Sequence, residues 1–179
     1  MQNEALCQSC EMPSSYAMIR LDELTLVGIA ARTSNGLEMS GNGKIGGLWD
    51  RFWKEGADRT IPSDGSGQQP IYGCYCEYED GASGSYTILI GNKVTEIDDR
   101  LHSGLESKVI PASDYAVFKT RRGPIATVVL ETWQEIWRLS ADSKIQRTFT
   151  GDFEFYDERS ADPDNTQVEI YVAVKSNNL

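Results

Sequence analysis

The feature that most limits what this 179-residue chain can fold into is a repeated order of elements. Leu24 to Thr33 (LTLVGIAART) reads as a strand. A polar, Gly-rich stretch follows, and then Ile45, Leu48, Trp49, Phe52 and Trp53 fall at the spacing of one helix face, with Gly56 as a stop signal. Beyond the loop Gly65–Pro70, the strands Ile71–Glu79 and Tyr86–Val94 are joined by the short Gly-containing hairpin connection Asp80–Gly84. The second half runs in the same order. A strand lies within Lys108–Thr120, and Arg121–Pro124 is a break with a proline placed to begin a helix. Ile125, Val129, Trp133, Ile136 and Trp137 mark a helix over Ile125–Ser140. The strands Phe149–Asp157 and Val168–Lys175 then close the unit around the polar loop Arg159–Thr166. Each helix carries a Trp-x-x-x-Trp pair, Trp49/Trp53 and Trp133/Trp137, which the helical stripe assigns to the core.

Two such halves make one α+β domain, mainly antiparallel, with both helices on one side of the sheet. The repeats span about residues 24–94 and 107–176. Residues 1–23 read as an N-terminal extension, too short and too little basic for a DNA-binding domain, ahead of a single domain at 24–179. The formal charge of −10 argues against direct contact with nucleic acid, because phosphates are held by basic surfaces. No run of about 18 apolar residues is present to cross a membrane. A lone histidine, His102, disfavours histidine-dependent triads and multi-histidine metal sites. The thiols of Cys74-x-Cys76 share one face of a strand, so that pair supplies no zinc knuckle. Reduced core thiols there, a loose Cys7 and Cys10, and no export signal give a cytoplasmic protein without metal or cofactor as the expectation.

With helices on one face, the other face is expected to be solvated or to form a site. In Phe153-Glu154-Phe155-Tyr156 the phenylalanines suit the helix-covered core, which sends Glu154 and Tyr156 to the opposite face. In Val168–Val174 the β-branched residues Val168, Ile170, Val172 and Val174 take the core, and Glu169, Tyr171 and Ala173 point away from it. Tyr72 and Tyr78, or alternatively Tyr75, add an aromatic group from the first half. Carboxylates among aromatic rings suit a flat organic cation, through counter-charge, apolar area and cation–π attraction. The plainer alternative is a solvated face on which tyrosines serve as strand formers.

Four strings, in this order, resemble the GyrI-like effector-binding domain of multidrug-sensing MerR- and AraC-type regulators. They are Ile110–Phe118 (IPASDYAVF), Thr132–Trp137 (TWQEIW), Gly151–Tyr156 (GDFEFY) and Val168–Lys175 (VEIYVAVK), and the similarity runs from about Leu24 to Lys175. Stand-alone forms, including integron-cassette-associated proteins, are the most similar. The resemblance implies a pseudo-twofold pair of βαββ units with a ligand cleft between the halves. It also implies ligand-binding roles for Glu154, Glu169 and Tyr171, to which spacing adds Tyr156, Tyr75 and Tyr72. The function implied is binding of cationic amphipathic small molecules, without catalytic residues, with a regulator protein as a possible partner. Two alternatives come with it. One is a hydrolase of small electrophilic compounds that uses a cleft glutamate as general base, and the other is a protein-interaction module of the gyrase-inhibitor kind.

Overall fold

The computed structural model describes residues 16–61, 69–96 and 104–176. Cys7, Cys10, the charged segment around Asp98–Arg100, and His102 lie outside these. The first half contains β1 (Tyr16–Leu21), β2 (Leu24–Ser34), the short α1 (Asn35–Met39), α2 (Ile45–Lys54), the single turn α3 (Ala57–Thr60), β3 (Ile71–Cys76) and β4 (Ser85–Val94). The second contains β5 (Glu106–Ile110), β6 (Ser113–Lys119), α4 (Ile125–Ala141), β7 (Asp152–Tyr156) and β8 (Glu169–Val174). Both long helices fall where their apolar spacing puts them. Gly56 ends the first by adopting a left-handed conformation, φ 66°, that glycine takes without strain.

All eight strands form one antiparallel sheet in the order β1-β6-β8-β7-β3-β4-β2-β5. Read from either edge toward the centre, the order is the same pattern: outer strand, second, fourth, third. The pseudo-twofold axis therefore passes between β3 and β7. Two differences from the sequence reading stand out. Residues 16–21, set aside with the extension, are a strand paired to β6 of the other half. Lys108–Thr120 is two strands, because Pro111 lacks an amide hydrogen and breaks the run. Each half is thus ββαββ, with its first strand given to its neighbour.

That exchange determines the shape of the sheet. β1 and β2 are joined by Asp22 and Glu23 alone, yet they occupy the first and seventh places in the sheet. In a flat sheet those places are roughly 29 Å apart, whereas the link reaches about 11 Å. β5 and β6, in the eighth and second places, are joined only by Pro111 and Ala112. The sheet must roll until its two ends meet. At the closure Ile110 sits so near Gly151 that a Cβ there would lie 2.6 Å from its Cγ2.

Rolling also gives the sheet two buried faces. Inside the roll, Leu24, Leu26, Cys74, Leu89, Tyr115 and Phe153 form one core without any helix. On the outer face α2 covers Val27, Ile88 and Ile90 with Leu48 and Phe52, and α4 covers Ile170 and Val172 with Ile136 and Leu139. The face expected to be open to water is therefore a second core. Cys74 and Cys76 lie in it as free, buried thiols.

Candidate functional site

On the helix face, α2 and α4 straddle the β3/β7 seam and leave a cavity of about 650 Å³ between them. The sheet supplies its floor. Across the seam Ile71 pairs with Tyr156, Gly73 with Glu154 and Tyr75 with Asp152, so these side chains share the helix side. Glu154 is only 3% exposed. Its Oε1 accepts hydrogen bonds from the Tyr75 hydroxyl (2.9 Å) and the Trp133 indole nitrogen (2.7 Å), and its Oε2 accepts one from the Tyr156 hydroxyl (2.7 Å). Gly73 makes room for it, since a Cβ at that position would lie 3.1 Å from Oε2.

All three donors are neutral, and among the described residues no ammonium or guanidinium pairs with Glu154. Burial pushes its carboxyl pKa above the ordinary value, and the three hydrogen bonds pull against that rise without cancelling it. The same burial, with the carboxylate alongside, raises the Tyr75 and Tyr156 hydroxyls well above theirs. An ionised carboxylate with neutral partners in a buried, aromatic setting lacks a counter-charge.

The walls are aromatic. Trp49 meets Tyr156 edge-on at 5.1 Å, and Tyr75 meets Trp133 in the same way at 5.3 Å. Trp53 and Trp137, expected in the core, line the mouth instead and are 54% and 37% exposed. The physical reason is the width of the helical stripe. Leu48 and Phe52 take the sheet-facing centre of α2, which turns Trp49 and Trp53 toward the groove. Of the four, Trp133 alone is buried, and it lines the cavity as the indole donor to Glu154.

The six candidate residues therefore divide. Glu154, Tyr156 and Tyr75 meet in the cavity. Glu169, Tyr171 and Tyr72 do not join them, because β7 pairs Phe153 with Tyr171 and Phe155 with Glu169, on the other face. There Tyr171 stacks on Phe153 at 4.5 Å, and its hydroxyl donates to Glu169 (2.9 Å), which also accepts from Arg159 (2.8 Å). The Arg159 guanidinium holds the Glu169 carboxyl below the usual range, so this glutamate already has its counter-charge. The phenylalanines of β7, not its Glu154 and Tyr156, face away from the helices. Sequence reasoning also missed Arg147 and Glu38, both of which line the cavity. Glu38 accepts from the backbone amide of Lys44 (2.8 Å) and so helps to hold the start of α2. Nothing in its spacing announces that role.

A curled sheet of paired repeats, with an acidic, aromatic cavity at the seam, defines an effector-binding domain. The chain belongs to the Cass2 family of integron-associated effector-binding proteins, whose model matches residues 18–174. It is 44% identical over 155 residues to YobU of Bacillus subtilis (strain 168), a candidate transcriptional regulator, covering 87% of this chain and 94% of that one. The integron cassette protein from the mobile metagenome of Vibrio cholerae superposes with a TM-score of 0.72 at 27% identity, over 89% of this chain and 95% of that one. SAV2435, solved bound to tetraphenylphosphonium, has the same fold with a TM-score of 0.73 at 23% identity, over 90% and 94% of the two chains. Among the described residues no helix is long and apolar enough to cross a membrane.

Proposed function

We propose that this effector-binding protein takes up cationic, amphipathic organic molecules between α2 and α4, with Glu154 as the counter-charge. The observation that carries this reading is the buried Glu154 carboxylate, held by three neutral donors at the floor of an aromatic cavity. A cation seated above it supplies the missing charge. Rings of Trp49, Trp133 and Tyr156 then give it apolar area and cation–π attraction of about 0.5–2 kcal/mol each. The lipophilic cation bound by SAV2435, a protein of the same fold, accords with this chemistry.

The decisive comparison uses two ions of one shape and opposite charge. In calorimetric titrations tetraphenylphosphonium is expected to saturate one site per chain, and tetraphenylborate to give no saturable heat. Equal binding of both would mean that the cavity reads shape alone, and binding of neither would place effector recognition elsewhere.

A further inference from the structure

The cavity has a second buried polar group, beside the Trp133 indole that also donates to Glu154. Arg147 lines it with a side chain only 4% exposed. One nitrogen, Nη2, donates to Asp152 Oδ2 and to the Tyr78 hydroxyl oxygen (3.4 Å). The carboxylate of Asp152, itself fully buried, also accepts from the Tyr78 hydroxyl (2.9 Å) and the Ala173 amide (2.8 Å). Asp152 therefore neutralises the guanidinium charge through one nitrogen and leaves the rest of the fork unused. Nε is sealed from solvent with no partner, and no group among the described residues accepts from Nη1.

The group is firmly placed. The Arg147 guanidinium carbon lies 4.4 Å from the centre of the Phe149 ring, 5.8 Å from Trp133 and 6.0 Å from Tyr78. Phe149 reaches this position with φ 57°, a left-handed backbone that a bulky residue seldom adopts. Such strain persists only where the surroundings over-determine it. An arginine clamped by three rings, with donors to spare and its charge already met, calls for a neutral acceptor. A second anion would meet the Asp152 carboxylate nearby. A carbonyl or amide oxygen accepts without adding charge.

Resting on the reading of Glu154 as counter-charge, we infer that the preferred effectors are organic cations that also carry a neutral carbonyl-type oxygen, received by Arg147. The Trp133 indole lies between the two groups, donating to Glu154 and flanking Arg147. The acceptor must therefore sit across an aromatic ring from the cationic centre. Hydrocarbon cations engage one of the two groups, and acceptor-bearing ones engage both.

The test is a matched pair, phenacyltrimethylammonium and (2-phenylethyl)trimethylammonium, which differ by a carbonyl in place of a methylene and both stay cationic at neutral pH. The wild-type protein is expected to bind the carbonyl compound on the order of 10-fold more tightly, as a hydrogen bond from a charged donor would give. Arg147→Lys keeps the charge opposite Asp152 but removes the planar fork, so the preference should collapse toward unity while the phenylethyl compound binds as before. Glu154→Gln should weaken both cations alike and preserve their ratio. Equal wild-type affinities, or a preference that survives Arg147→Lys, overturn the assignment. The neutral pair deoxybenzoin and bibenzyl separates the two readings. If Glu154→Gln leaves the cations unaffected, the counter-charge reading falls, and the Arg147 assignment then stands or falls on whether deoxybenzoin is preferred. Loss of fold in Arg147→Lys would show in its melting curve. In that event Arg147→Met combined with Asp152→Asn removes donor and charge together and is held to the same ratio.

Discussion

Replacing Glu154 by Gln isolates charge from shape. The amide oxygen can still accept from Tyr75 and Trp133, and the amide nitrogen can donate to the Tyr156 hydroxyl oxygen, which only has to turn its hydrogen away. A lipophilic cation shielded by its own aryl groups comes no nearer to the carboxylate than about 5 Å, where at an effective dielectric of about 20 the attraction is about 3 kcal/mol. Solvent at the mouth, between Trp53 and Trp137, reduces this to about 1.5–3 kcal/mol, or a 10- to 100-fold loss of affinity. Neutral ligands of the same size should change less than about threefold. Calorimetric titration at one ionic strength near pH 7.5, with tetraphenylphosphonium and a neutral triphenylmethyl compound, makes the comparison. The unliganded variant should be no less stable than wild type and melt at the same temperature or higher. Because the folded carboxyl pKa is raised, its favourable contribution to folding is present below the ordinary carboxylate pKa and lost as pH rises through the raised value. At neutral pH the ionised form burdens the fold, and Gln relieves it. Equal losses for charged and neutral ligands would refute the counter-charge, as would no loss at all.

Cation affinity should fall as pH is lowered through the raised Glu154 pKa, and Glu154→Gln should abolish that dependence; titrations across a pH series read both. Gly73→Ala places a methyl group 3.1 Å from Glu154 Oε2, so the carboxylate must shift; cation affinity should drop several-fold with about 1 kcal/mol of stability lost, measured by titration and denaturant unfolding. Glu169→Gln and Tyr171→Phe act on the opposite face of the sheet and should leave ligand affinity within about twofold of wild type in the same titrations. A loss as large as that of Glu154→Gln would return these two residues to the site.

How much of this was legible in the sequence depended on whether the information was local. Both helices could be read, because Ile45–Trp53 and Ile125–Trp137 carry their periodicity within themselves. The repeat followed from the order of elements, and Glu154 was marked as a carboxylate among aromatics. Its side of the sheet was not legible. Alternation separates Glu154 from Phe153, but it assigns the Phe side to the helices only if the sheet has one buried face, and the rolled sheet has two. Burial of Phe153 inside the roll depends on strands such as β2 and β6, far away in sequence. β1 was invisible for a related reason: its partner, β6, lies almost a hundred residues on. Arg147 carried no signal, since its meaning lies in an unpaired nitrogen and a backbone strained at Phe149.

The exchange of outer strands has a consequence for the chain's ancestry and handling. Each half lends its first strand to the other, as two subunits do in a domain-swapped dimer, but here one chain supplies both. A half released from its partner would expose the face where its neighbour's strand belongs and hold a strand with nowhere to pair. Two copies of one half, each lending its strand to the other, would rebuild an eight-stranded roll with a seam at its centre. An isolated second half should therefore sediment as a dimer, and the full chain reads as that dimer made permanent by a single covalent thread.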